Sequence, residues 1–168
     1  SYNRMTVDEI QLTAMNDDAI RAFLANRKMG VLGLPTGDVP YLLPMSFGYD
    51  DEATLYFTFV GGPDSRKRGL IEATDRAGFL CYAAESPFNW ESVLLTGTVE
   101  AVPDEAWDDI VPVLEAAWRP DIIEAAMATE EVTVYRFAVE EWTGYKHTGL
   151  PPGFDTGDED RTDTGPTT

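Results

Sequence analysis

The sequence has little of what metal and nucleophile chemistry draws on. It contains one cysteine, Cys81, and one histidine, His147. One cysteine excludes an intrachain disulfide, and one Cys with one His leaves too few soft ligands for a structural zinc site. A Ser-His-Asp triad would have to use His147, and no Gly-x-Ser-x-Gly turn accompanies it. Cys81 lies in the apolar run 78–83 and reads as a small buried residue. No signal peptide and no apolar segment long enough to cross a bilayer is visible, so a soluble, cytoplasmic protein is expected. Lysine is scarce too, with only Lys28, Lys67 and Lys146. Twelve Lys and Arg stand against 30 Asp and Glu, a formal net charge of −18. That excess opposes binding to nucleic acid or an anionic membrane. Abundant acids with few lysines resemble proteins of salt-loving organisms, where molar salt screens the repulsion. Asp50-Asp51-Glu52 and Asp158-Glu159-Asp160 lack the spacing of a calcium loop and read as solvated turns, so no metal site is expected.

The length of 168 residues suits one domain,. That domain is placed at 1–149, and an acidic Gly/Pro/Thr-rich tail at 150–168 has no core-forming periodicity. Asn16 can cap a helix that Arg27-Lys28 close, with Ile20, Phe23, Leu24 and Arg27 on one face and Met15 stapling to Ile20. Six strands are expected over 29–35, 41–49, 54–60, 77–84, 91–102 and 132–139, with 142–147 extending the last. Pro44 cannot donate to a ladder and so marks an edge, a bulge or a barrel opening. Helices are expected over 64–74, over 104–118 with Pro112 kinking or splitting it, and over 121–128. Trp107, Ile110, Val111, Leu114 and Trp118 form the stripe of the second of these. Short turns between successive strands favour a small antiparallel barrel with helices at its rim over parallel βαβ winding.

Three of the twelve basic residues, Arg66-Lys67-Arg68, sit together where a helix should begin. Asp64 or Ser65 is the expected N-cap. Cations are mildly disfavoured at a helix start unless an anion lies among them. Positions four apart share a face. Arg66 therefore stacks toward Leu70 and Lys67 toward Ile71, whereas Arg68 falls over Glu72 as a solvated ion pair. Two readings stand side by side. One is a phosphate cradle of Ser65, Arg66 and Lys67 with Arg68 in support. The other is a basic turn neutralised by nearby acids. Trp107 and Trp118 belong to the core by their stripe, whereas Trp90 and Trp142 are free to stack on a planar ligand.

The ordered series of the run 40–49 (Pro-Tyr-Leu-Leu-Pro-Met-Ser-Phe-Gly-Tyr), the run 55–58 (Leu-Tyr-Phe-Thr), Ser65-Arg66-Lys67, and the run 91–97 from Glu91 to Gly97 resembles the pyridoxamine 5′-phosphate oxidase-like family of FMN-binding proteins. The branch that includes the nitroimidazole-resistance proteins is the more similar. The resemblance runs from about Ala22 to Lys146. It implies a mainly β (α+β) fold, a six-stranded antiparallel split β-barrel with flanking helices, and a homodimer with FMN in the subunit interface. By the same resemblance the strand Leu43, Pro44, Met45, Ser46, Phe47 runs beside the isoalloxazine. Phe57 and Thr58 stand near the flavin, and Ser65, Arg66 and Lys67 hold its phosphate. Ser92 reaches the ring, and Trp142 is the aromatic contributed by the partner subunit. The sequence departs from the true oxidases after Gly144, where Tyr145-Lys146-His147-Thr148-Gly149 replaces their Arg-Leu-His substrate-holding ending. The three residues Gly61-Gly62-Pro63 also stand as an insertion before the phosphate loop. The function implied is a flavin-dependent oxidoreductase with no catalytic side chain identified. The alternative is a non-catalytic flavin, deazaflavin or haem carrier on the same barrel, with His147 a poor haem ligand.

Overall fold

The computed structural model describes residues 12–60, 65–115 and 132–149. The helix expected over 121–128, Trp118, the insertion 61–63 and the tail 150–168 lie outside them. The elements are β1 (Leu12–Ala14), α1 (Asp17–Ala25), β2 (Met29–Leu34), β3 (Tyr41–Ser46), β4 (Gly48–Tyr49), β5 (Thr54–Val60), α2 (Arg66–Glu72), β6 (Ala77–Ser86), β7 (Asn89–Ala101), α3 (Trp107–Glu115) and β8 (Val132–Thr148). A short 3-10 turn, Asp104–Ala106, leads into α3. Every strand pair is antiparallel, in the order β3-β2-β6-β7-β8-β5-β4. β5 takes the first half of one edge of β8, and β1 takes the last part.

The described strands number eight rather than the expected six. One addition is the short β1. The other arises because the strand expected over 41–49 breaks at Phe47, between β3 and β4, and not at Pro44. Pro44 stays inside β3 because β3 is an edge strand. Phe47 N–H donates to the Lys28 carbonyl at 3.0 Å. Hydrogen-bonded and non-bonded pairs alternate along an antiparallel ladder. The pair Val31–Pro44 in the same register is therefore a non-bonded one, and the missing N–H costs β2 nothing,.

The sheet curls into a split barrel, and the long β8 is where it turns. Between Thr96–Glu141 and Gly97–Val139 the register slips by one residue, leaving Glu140 as a bulge,. A side chain at Gly97 would run into the Ala138 carbonyl, so the close approach of β7 to β8 demands glycine there. Inside the curl Phe79 is the hub of an aromatic core, stacked on Phe57 at 5.2 Å and edge-on to Phe47 at 5.3 Å. Leu32, Leu34, Leu43, Leu55, Leu95, Tyr135 and Phe137 complete it. Cys81 is fully buried there as expected, and burial pushes its thiol up to about 11. A smaller cluster of Tyr56, Val102 and Val134 lies under Ile110 and Leu114 of α3, which runs on through Pro112.

α1 begins as expected, with the Asn16 side chain accepting from Ala19 N–H at 2.8 Å. It ends at Ala25, two residues before Arg27, so Arg27 and Lys28 are not in its last turn. Arg27 instead lies over the Phe23 ring at 5.1 Å.

Candidate functional site

α2 forms where the capping signal placed it. Ser65 is its N-cap, its hydroxyl oxygen accepting from Arg68 N–H at 3.2 Å. A hydroxyl that accepts one bond still has its own proton to donate. The first-turn N–H groups of Arg66 and Lys67 have no partner within a helix. Ile71 anchors the element, 1 % exposed in the core. The cations do not divide as helical spacing suggests. Arg66 and Lys67 are exposed, and Arg68, expected to be solvated, is the least exposed of the three. Its pairing with Glu72 is as expected, at 3.3 Å. For Arg66 the reason is non-local: Tyr41, on a distant strand, takes its head. The guanidinium of Arg66 lies over the Tyr41 ring at 4.8 Å. Among the described residues neither Arg66 nor Lys67 forms an ion pair. Among the described residues the one acid paired with the basic turn is Glu72, on Arg68.

Tyr41 opens β3, so the contact with Arg66 joins the basic turn to the strand expected to flank the ligand. On β3 the side chains of Leu43 and Met45, and that of Phe47 just beyond, enter the core at 5 %, 8 % and 1 % exposure. Leu42, Pro44 and Ser46 face outward. By the ladder alternation these even positions also turn their backbone groups to the free edge of the sheet. The N–H groups of Leu42 and Ser46 and the carbonyls of Leu42, Pro44 and Ser46 are available on that edge,.

The remaining expected residues lie elsewhere. Phe57 is at the centre of the core, stacked on Phe79. Thr58 is half-buried on the opposite face of β5. Ser92 is half-buried on β7, paired with Tyr82 and Tyr145. It stands three strand spacings from Ser46, about 14 Å. Trp142 is on the other face of β8, under α1. Its indole N–H donates to Asp17 at 2.9 Å, and Arg21 covers its ring at 5.2 Å. It lines a cleft of about 540 Å³ with Arg21, Asp51 and Glu52. Within one chain, then, β3 and the basic turn meet, whereas Ser92 and Trp142 stand apart from them. His147 is 4 % exposed, with Nδ1 2.6 Å from the Phe88 carbonyl and its ring stacked on Trp90. It and Trp90 clamp the β6–β7 hairpin to the end of β8.

A further feature was missed by residue reading. Six of the seven large apolar residues exposed among the described ones (Met29, Leu42, Leu80, Tyr82, Leu94 and Tyr145) share the outer face of the β3-β2-β6-β7-β8 sheet. The register row Pro44–Val31–Leu80–Leu94–Thr143 crosses five strands without a charge. In a chain of net charge −18 an uncharged row flanked by exposed apolar side chains is an exception, the charges of that face lying to one side at Glu141, Glu100 and Arg136,. The signal lay in the sequence. The run Phe79-Leu80-Cys81-Tyr82 is apolar at every position, the pattern of a strand with two apolar faces rather than one,.

A family profile described as pyridoxamine 5′-phosphate oxidase matches residues 16–146. No curated protein matches the sequence. Among solved structures, an FAD-binding protein from Mesorhizobium loti is similar at 17 % identity and a TM-score of 0.67, over 82 % of this chain and 99 % of that one. An FAD and heme binding protein from Mycobacterium smegmatis has 18 % identity and a TM-score of 0.65, over 92 % and 80 %. A candidate 5-nitroimidazole antibiotic resistance protein from Bacteroides thetaiotaomicron has 18 % identity and a TM-score of 0.63, over 80 % and 87 %. At such identities the likeness is one of fold, and the profile carries the assignment: this chain belongs to the pyridoxamine 5′-phosphate oxidase-like family of split barrels.

Proposed function

We propose that this protein binds FMN as a homodimer and works as a flavin-dependent oxidoreductase. The observation that carries the reading is the contact of Arg66 with Tyr41 at 4.8 Å. It sets a cationic turn directly against a free strand edge that has backbone donors and an uncharged surface. A flavin mononucleotide has the matching parts: a phosphate, and a flat ring whose edge takes backbone hydrogen bonds. The flavin-binding names of two structural relatives support the same ligand class.

In this reading Arg66 supplies a planar fork and Lys67 a point charge to the phosphate, and the Ser65 proton completes the set. Leu42 N–H, Ser46 N–H and the Pro44 carbonyl fix the ring edge. The bound flavin supplies hydride or electron transfer. No acid or base of the chain is assigned to that chemistry. The apolar outer face pairs with its copy about a two-fold axis, excluding water from the ring and bringing in the partner's Ser92. The family's homodimeric habit and the uncharged row both favour this. His147 is 4 % exposed and packed between the Phe88 carbonyl and Trp90, which disfavours it as a haem ligand.

The test is a fluorescence titration with FMN. Wild type should quench it, and Arg66→Ala with Lys67→Ala should cost about 3 kcal/mol, or roughly a hundredfold in affinity. No quenching by wild type overturns the flavin reading, and unchanged affinity in the double variant overturns the phosphate assignment. Reduction of the bound flavin by NADH or NADPH, followed by turnover of an acceptor, separates enzyme from carrier.

A further inference from the structure

Glycine inside a strand costs stability, and it marks a place where something comes close to the backbone. At Gly30, Gly48 and Gly97 that something belongs to the chain. A side chain there would strike Phe79, the Val113 carbonyl and the Ala138 carbonyl. Gly33 and Gly78 are different. They are direct partners on β2 and β6, in the row below Val31 and Leu80 on the outer face. A side chain would find its nearest neighbour at 3.6 Å and 3.8 Å, which are ordinary contact distances. Packing within the chain therefore does not call for glycine at either position. Together they floor a trough of about 530 Å³, with Pro35, Pro40 and Ala77 among its walls. The next residue of the row, Thr96 on β7, lines the same trough. Its hydroxyl oxygen is buried, and among the described residues it has no hydrogen-bond partner. Valine would fill the same space without an unpaired hydroxyl.

We propose that this trough binds a flat, uncharged ring with one hydrogen-bonding substituent, and that Thr96 is its polar contact. The volume is that of a small-molecule site. β2 and β6 are both internal strands, so the N–H and C=O groups of the two glycines are spent in the ladders,. The floor thus offers the faces of peptide planes and no hydrogen bond, which suits a ring laid flat. An aromatic ring on a neighbouring strand can cover a glycine in a sheet. Here the neighbours in the row are Leu42 and Thr96, so the ring has to come from a ligand. Charge excludes an anion. Arg76, at the rim, is held by Glu140 at 3.0 Å, and Glu141 stands next to Thr96. Rotation about χ1 exchanges the methyl and hydroxyl of Thr96. A ligand with an acceptor draws the hydroxyl into the trough and leaves the methyl, which needs no partner, in the buried position. The site lies one strand in from the β3 edge and shares no residue with the phosphate cradle, so it stands without the flavin reading.

The probe is 2-naphthamide, a flat uncharged bicyclic ring with one amide. It is titrated to about 1 mM against the full chain by ligand-observed NMR, with 2-naphthoate as the charged control. Wild type should bind the amide about tenfold or more tighter than the carboxylate. Gly78→Val should abolish binding with an equal or higher melting temperature, because valine suits a strand and has room there,. Thr96→Val should lower amide affinity about tenfold, also with an equal or higher melting temperature, and Thr96→Ser should keep the wild-type affinity. FMN affinity should not change in the Thr96 variants. No binding by wild type, or equal binding by wild type and Gly78→Val, overturns the inference, and unchanged affinity in Thr96→Val overturns the role of its hydroxyl. If wild type ignores the amide while Gly78→Val loses its dimer in sedimentation, the trough takes a side chain of the second copy and the inference is overturned. A wild type that binds the amide and not FMN supports the inference and overturns only the flavin reading.

Discussion

Replacing Leu94 tests the outer face, and the structure sets the size of the effect. Leu94 sits in the middle of the uncharged row, between Leu80 and Thr143, and is 50 % exposed in the single chain. Fully burying a leucine side chain is worth about 2 kcal/mol, so covering its exposed half contributes about 1 kcal/mol. A two-fold interface counts every position twice, which makes about 2 kcal/mol per dimer. Leu94→Ala should then raise the dimer dissociation constant about thirtyfold. Leu94→Asp goes further, because each copy would bury an unpaired carboxylate at a cost of several kcal/mol. It should be monomeric at micromolar concentration. Because the side chain points away from the core, thermal unfolding of the Leu94→Asp monomer should stay cooperative. Sedimentation velocity over a concentration series reads the result. A wild type that is monomeric throughout, or a Leu94→Asp that dimerises as well as wild type, refutes the assignment of this face. FMN binding should weaken together with dimerisation, since the partner's Ser92 and the water-excluding surface are lost at once.

Three further outcomes follow from the packing and the charge. Gly97→Ala should destabilise the fold by about 1–3 kcal/mol in denaturant unfolding, because its new carbon meets the Ala138 backbone and not a movable side chain,. Cys81 has its thiol pushed up to about 11 by burial, from an ordinary 9.0. The unfolded chain therefore ionises first. Stability owed to this group is full below pH 9 and lost as pH rises toward 11, and Cys81→Ala should flatten that part of the profile. With a net charge of −18, the melting temperature should rise as potassium chloride is raised from 0.1 M toward molar levels; an unchanged temperature contradicts the salt-adapted reading of the composition,.

What could be read in the sequence was what local chemistry decides. The Asn16 and Ser65 caps, the strand alternations, and the burial of Cys81 depend on near neighbours, and they stand where residue types placed them. Pro44 was legible as an edge signal, but the strand break at Phe47 was not. An edge strand tolerates proline at every second position, and only the ladder register tells which positions those are,. The exposure of the cations in the basic turn was not legible for a related reason. α2 has seven residues, too few for its own rows to dictate exposure once other elements pack on it,. Tyr41 takes the head of Arg66, and Glu72 holds that of Arg68. Tyr41 does not lie within a helical turn of the cations, so spacing arguments had no access to it. The outer face differs again, because its signal was present and local. Strand β6 is apolar at odd and even positions alike, and a strand with one face in water has no use for Leu80 and Tyr82 on that face,. The core accounts for Phe79 and Cys81 and leaves the other two over. Their excess is what the proposed two-fold interface would cover, and it lies on the same face as Ser46, the outward end of the β3 edge that Arg66 joins through Tyr41.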